Sequence, residues 1–221
     1  MPTLKERATS LLMSRIGKTA SVLNVTRIGN FLLQVELQLP QALPARSTQH
    51  LKIEVAPYTY RDYTVAHWEP ATGTATLLID CAHEGTGSFW ALTLAPGSSV
   101  VYAGPGGGMH QPGNASCLVC IGDASATGHF YSLYQYKAPA QQFHCFLQLE
   151  DPTTRQLLEM PVQALSNNGH YFTDLHEWLY HYDFPVADTT FYVAGNHRMV
   201  VQVRKSLRQQ GGLVKAQGFW G

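Results

Sequence analysis

Three short motifs in the first half of the chain carry side chains suited to one kind of ligand. Arg61-Asp62-Tyr63-Thr64 comes first, His83-Glu84-Gly85-Thr86-Gly87-Ser88-Phe89-Trp90 follows, and Gly104-Pro105-Gly106-Gly107 closes the set. Arg61 offers a planar guanidinium, which meets phosphate oxygens with forked, charge-assisted hydrogen bonds. Tyr63 offers a ring for packing, and Thr64 a hydroxyl and an amide. Gly85-Thr86-Gly87-Ser88 stands where a helix is expected to begin, and there unpaired amides and the positive end of the helix dipole favour anions. Glycine lets a phosphate approach the backbone, and Ser88 is placed to cap the helix and donate to the anion. Read alone, each motif has a plainer counterpart: an exposed Arg on an ordinary strand, a helix cap with no ligand, and, for His83, a strand-end histidine.

Together the motifs supply a cation, an aromatic surface, hydroxyls and flexible amides. A flavin dinucleotide requires these parts for its pyrophosphate, its ring, and its ring nitrogens and oxygens.

The elements that must position these residues follow from hydrophobic spacing. Apolar residues alternate from Thr19 to Leu39 with a break at Gly29-Asn30, which predicts two strands and a hairpin turn. His50–Val55, Asp62–Trp68, Thr74–Cys81 and Ser99–Ala103 read as further strands, and Gly87–Leu94 as a short helix ended by Pro96-Gly97. Arg61 then sits just before a strand. Alternation places Arg61 and Tyr63 on one face and Thr64 on the other. Many short strands with regular turns predict a small barrel or sandwich.

The pattern changes after Met109. His110-Gln111-Pro112-Gly113-Asn114 is a polar connector, which divides the chain into 1–109 and 110–221. Cys117–Ile121 is an apolar run followed by Gly122-Asp123-Ala124-Ser125 and a helix through Tyr136. Gln142–Leu149 and Thr190–Ala194 are further strands, the latter followed by Gly195-Asn196 and a helix from His197 to Gln209. Strand, glycine turn, helix, repeated, marks an open parallel sheet whose ligands lie beyond the carboxyl ends of its strands. The closing Gln217-Gly218-Phe219-Trp220-Gly221 reads either as a mobile aromatic end that stacks on a flat ring or as a last strand with its aromatics in the core.

Other readings are excluded. Net charge is zero and 14% of residues are charged, which argues against a nonspecific nucleic-acid binder. No apolar run is long enough for a membrane span. The first fifteen residues suit a short amphipathic helix better than a signal peptide. Cys117 and Cys120 lie three apart on a predicted strand and so face opposite ways. They are expected as buried, reduced core residues, beside Cys81 and Cys145, in a cytoplasmic protein. His176 and His181 are five apart, one too many for the zinc-protease spacing, and the ten histidines show no ligand spacing, so no metal site is expected.

With these residues in view, the chain resembles the siderophore-interacting protein family, FAD-binding ferric-siderophore reductases of the ferredoxin reductase-like superfamily. The resemblance runs from about Thr19 to Gly221. It rests on Arg61-Asp62-Tyr63-Thr64-Val65, His83–Trp90, Pro96-Gly97 with Gly104–Gly107, Tyr192–Asn196 and Gly218-Phe219-Trp220. It implies a six-stranded antiparallel FAD-binding barrel followed by an open parallel-sheet nucleotide-binding domain. It also implies FAD contacts from Arg61, Tyr63, Thr64, Val65, His83, Gly85, Gly87, Ser88 and Trp220, and nicotinamide-nucleotide contacts from Gly122, Asp123, Ser125, Gly195 and Asn196.

The implied activity passes electrons from NAD(P)H, or from ferredoxin, through FAD to a ferric siderophore, releasing iron(II), with Lys52 drawing an anionic chelate. No catalytic side chain is implied, because the cofactor carries the chemistry. The chain departs from the family where Ala66 and His67 follow the Tyr-Thr-Val run, and where Asp123-Ala124-Ser125-Ala126-Thr127-Gly128 replaces the usual acidic loop. A general flavin reductase, another electron-transfer flavoprotein and a flavin-binding protein without turnover are the competing functions.

Overall fold

Strict alternation builds the first half. Along β3 (Gln49–Ala56), Leu51, Ile53 and Val55 are buried and His50, Lys52 and Glu54 lie on the other face. The barrel is completed by β1 (Lys18–Ile28), β2 (Leu32–Gln38), β4 (Thr59–Glu69), β5 (Thr74–Asp80) and β6 (Ser99–Gly107), with alternation interrupted by register shifts between Val22 and Asn24 in β1 and between Val65 and His67 in β4. In the computed structural model, which describes residues 4–108, 110–166, 170–182 and 184–220, these strands close into an antiparallel barrel in the order β1-β2-β5-β4-β3-β6. Closure removes the sheet edges. The barrel is filled by Val35, Leu37, Leu51, Ile53, Leu77 and Tyr102, among others, each large apolar side chain contributing about 1.5–3 kcal/mol by its burial. Gly29, with φ +62°, turns β1 into β2 as its sequence predicts. A helix, α1 (Leu4–Ile16), precedes the barrel, and α2 (Thr86–Leu92) lies between β5 and β6.

The second half follows the other rule. β7 (Cys117–Asp123) is buried at every position, as a strand covered on both faces must be. It lies in a five-stranded sheet of order β11-β10-β7-β8-β9, with β8 (Gln142–Leu149), β9 (Gln163–Ser166), β10 (Thr189–Asn196) and β11 (Leu213–Trp220) all parallel to their neighbours. Cys117, Val119 and Ile121 pack under α4 (Tyr171–Tyr182) and α5 (His197–Gln209). Leu118 and Cys120 face the opposite way, toward α3 (Thr127–Tyr136). The C-x-x-C pair is thus split between two cores, and all four cysteines are free thiols.

An apolar seam of Ile28, Leu32, Ala66 and Leu78 against Tyr131 and Leu158 joins barrel to sheet. Buried hydrogen bonds reinforce it: Thr48 N donates to Ser132 Oγ at 2.9 Å, and Ser47 Oγ to the carbonyl of His110 at 2.8 Å. The expected division point, Met109, lies outside the described residues, as does Gly221.

Two sequence expectations change, and the open reading of the chain's end is decided in favour of a last strand. β4 begins at Thr59 because β3 and β4 join through a tight turn with Tyr58 at φ +62°, so Arg61 is inside the strand. β6 extends through Gly107, so the third glycine motif belongs to the barrel seam. The chain's end is β11 and not a free tail: Phe219 packs into a core while Trp220 stays 43% exposed. β9 and α4 have no counterpart among the predicted elements.

Candidate functional site

A groove of about 740 Å³ runs between barrel and sheet, floored by β4 and β5 and bordered by α2, the start of α3 and the end of β11. Arg61, Tyr63, Thr64, His83, Gly85, Gly87, Ser88 and Trp220 all line it. Val65 does not: its side chain is buried in the barrel core.

The strand pattern that separates Arg61 and Tyr63 from Thr64 has a visible consequence. Both approach Gly87: a Cβ there would stand 2.6 Å from Tyr63 Oη and 3.6 Å from Arg61 Cγ. The Tyr63 ring stacks on Trp90, centroids 5.5 Å apart, and burial pushes its phenol well above the ordinary 10. Arg61 donates from Nη1 to its neighbour's carbonyl at 2.9 Å. Among the described residues no carboxylate forms an ion pair with it. Gly85 has open space where a Cβ would stand. Replacing Gly87 with Ala should displace the Tyr63 hydroxyl, at a stability cost of about 1–3 kcal/mol. Binding of any ligand seated there should weaken by roughly tenfold, near 1.4 kcal/mol. Thermal melting and ligand titration of the variant check both.

Ser88 is not the helix cap. α2 starts at Thr86, which makes Ser88 the third helical residue; Gly85 holds the cap position without a side-chain bond. Ser88 Oγ instead reaches the carbonyl of Asp80 at 3.5 Å.

Asp80, at the end of β5, carries no sequence signal and is central here. Its side chain is 4% exposed, with Oδ2 3.0 Å from His83 Nε2. Oδ1 accepts from the Ala82 amide at 3.0 Å. Burial raises the Asp80 pKa above its ordinary 3.8, the Ala82 bond and His83 oppose this, and Asp123 and Glu150 add to it. A raised carboxyl pKa means its contribution to stability is fully present below pH 3.8 and lost as pH rises through the folded value. Asp80→Asn is therefore expected to raise the Tm at pH 7.5 by roughly 2–4 °C, with the difference vanishing as the pH falls toward 4. An unchanged Tm across that range would contradict it.

His50, Tyr60 and His129 also line the groove and escape sequence reasoning, while Gly128 and Gln217 come from the loop and the ending that the sequence singles out. The Gly104–Gly107 motif does not line the groove. It makes room for His50, whose Nε2 would lie 2.8 Å from a Cβ at Gly106. His129 is buried, with Nε2 2.9 Å from His110 Nδ1. Burial pushes both imidazoles down, His110 to about 4. Lys52 is not a free cation: its Nζ is 2.7 Å from Asp62 Oδ1, across the β3–β4 ladder, and it does not line the groove, whereas Asp62 does.

The five expected nucleotide residues gather at the carboxyl ends of β7 and β10. Gly122 is a packing spacer, since a Cβ would collide with the Ala194 carbonyl. Asp123 and Asn196 line a second pocket of about 240 Å³ with Asp80, His83, Glu150 and Trp220. Ser125 lines the main groove. Trp220 borders both: its Nε1 donates to Ser125 Oγ at 3.1 Å, and its ring lies 4.7 Å from that of His83.

No family model matches the sequence and no curated protein does. Solved structures share the fold. A siderophore utilization protein from T. fusca is 21% identical, with TM-score 0.79 over 92% of each chain. The siderophore-interacting protein SipS from Aeromonas hydrophila is 17% identical, with TM-score 0.76 over 92% of this chain and 91% of that one. A ferredoxin reductase in carbazole 1,9a-dioxygenase (FAD apo form) is 17% identical, with TM-score 0.75 over 93% of this chain and 66% of its own. The chain therefore has the ferredoxin reductase-like fold common to siderophore-interacting proteins.

Proposed function

We propose that the groove binds FAD and that the chain is a flavin-dependent oxidoreductase acting on a ferric chelate of the siderophore type. The observation that carries this reading is the meeting of Arg61, Tyr63, Thr64, His83, Gly85, Gly87, Ser88 and Trp220 in one groove. The donor set fits the cofactor: a guanidinium without a carboxylate partner for a pyrophosphate, an open glycine backbone beside it, hydroxyls, and an indole partly exposed at the rim. Two of the similar structures are siderophore proteins and a third is a ferredoxin reductase in an FAD apo form, which supports the same reading.

Bound FAD would supply two-electron uptake from a donor and one-electron release to iron(III). Arg61 would hold the phosphates and Gly85 would let them approach the backbone, while Gly87 admits the Tyr63 hydroxyl and Tyr63 stacked on Trp90 would wall the groove. Trp220 covers the end nearest the sheet. Iron(II) binds hard oxygen donors more weakly than iron(III), so reduction frees the metal. The chelate meets the rim formed by His50, Tyr60 and Asp62, and Lys52 enters as a charge shared with Asp62. Segment 1–109 supplies most of the cofactor groove, with Trp220 and Ser125 from 110–221, and 110–221 meets the donor, a nicotinamide or a reduced redox protein such as ferredoxin. Four free thiols suit a reducing cytoplasm.

The test is anaerobic. FAD-loaded protein, reduced by dithionite and freed of excess reductant, is mixed with a ferric siderophore and an iron(II) trap. Reoxidation of the flavin with stoichiometric trapped iron(II) is expected. Reoxidation only by free flavin or by a partner protein would assign a general flavin reductase or electron-transfer flavoprotein instead.

A further inference from the structure

Parallel α/β sheets bind dinucleotides where the strand order reverses, and backbone amides there seat the diphosphate. In this chain that place lies between β7 and β10, and its amides already have partners. Asp123 Oδ1 accepts from Ser125 N at 3.0 Å and from Ser125 Oγ. Its Oδ2 accepts from Asn196 N at 2.6 Å. Asn196 Oδ1 takes Arg198 N and Met199 N, at 3.0 and 3.2 Å, at the start of α5. Gly195 holds φ +125°, and a Cβ there would stand 2.6 Å from both carboxylate oxygens of Asp123. The glycine that would admit a pyrophosphate admits this carboxylate.

On the reading that the chain is a flavoprotein needing an electron donor, we infer that Asp123 is a built-in anion that fills the diphosphate seat at the switch point and selects against nicotinamide dinucleotides as donors. Charge acts in the same direction as occupancy. The adjoining pocket is lined by Asp80, Asp123 and Glu150, with His83 bonded to Asp80 and no Lys or Arg in the lining, so an incoming diphosphate meets carboxylates there. Ser125 is doubly committed, to Asp123 and to the indole of Trp220. A dinucleotide would have to displace the carboxylate, expose it to two phosphates and break the Trp220 contact together. A donor that reaches the flavin without a diphosphate, such as a reduced redox protein docking over the groove, meets none of these obstacles.

ADP-ribose is the probe, because it carries the dinucleotide's diphosphate without the nicotinamide that would have to pass Trp220. It is titrated calorimetrically into FAD-loaded protein, whose flavin absorbance is recorded first. The expected dissociation constant is weaker than about 1 mM for the unaltered protein, and at least tenfold tighter for Asp123→Gly, which empties the seat. Reduction of the flavin by NADH should quicken in the same variant. Saturation of the unaltered protein in the micromolar range would overturn the inference. So would an Asp123→Gly protein that keeps its flavin and binds ADP-ribose no better. If that variant does not fold, Asp123→Asn serves: removing the charge alone must tighten binding several-fold, and no change counts against the role. A protein that takes up no FAD would instead defeat the flavin reading, and is recognised before any ADP-ribose is added.

Discussion

Replacing Arg61 with Glu is expected to abolish retention of FAD. Arg61 lies in β4 at the groove wall, its Cγ beside Gly87, and its Nη1 donates to the neighbouring carbonyl of Tyr60. Hydrogen bonds to charged groups are worth about 1.5–3 kcal/mol each, and reversal of the charge adds repulsion of the pyrophosphate. The dissociation constant should rise at least 100-fold, about 2.8 kcal/mol. Arg61→Lys keeps the charge and loses the fork, so it should fall between, near tenfold. Arg61 is exposed, and the Tm of either variant should shift by no more than about 0.5 kcal/mol would produce. Fluorescence titration of flavin into the apoproteins reads the effect. Binding within a few-fold of the unaltered protein would remove Arg61 from the site.

The largest stability effect is expected at Phe146. This ring, in β8, is fully buried, its centroid 5.6 Å from that of Tyr171 and 5.1 Å from that of Trp178. It is a central contact between α4 and the sheet, beside Cys117, Val119 and Ile121. Phe146→Ala removes the ring and leaves a space that two bulky aromatics cannot collapse into, which costs about 3–5 kcal/mol. In a chain of this size that lowers the Tm by roughly 6–20 °C. The loss should appear in thermal and urea melts alike. A drop below about 1 kcal/mol would mean that α4 is held by something other than this packing.

Legibility in the sequence followed the range of the interactions. The strands of the barrel are written in alternation, and β3 shows it residue by residue. The turn at Gly29 and the helix after Gly195-Asn196 are equally local. The groove residues were legible for a related reason: Arg61, Tyr63 and Thr64 lie on one strand and His83–Ser88 on one loop and helix start, so short motifs keep them together. What failed to appear depends on register or on distant partners. Lys52 is paired because the β3–β4 ladder sets it opposite Asp62. Val65 shares the barrel-facing side of β4 with Tyr63, two residues before it, and only the longer tyrosine reaches the groove, beside Gly87. Ser88 looked like a cap because serine near a helix start commonly is one, but the helix begins two residues earlier. Asp123 meets an amide 73 residues away, and no local pattern announces that. β9 is only four residues long, too short for alternation to register. α4 does carry buried residues at helical spacing, Tyr171, Leu175 and Trp178, which was the available signal for it.

The measurement that bears most directly on the central claim is the visible spectrum of the purified chain after incubation with FAD and removal of unbound flavin by gel filtration. The account predicts flavin bands that travel with the protein at one FAD per chain, and that disappear in Arg61→Glu. A folded protein that emerges without flavin bands would contradict it, because the groove would then hold some other ligand.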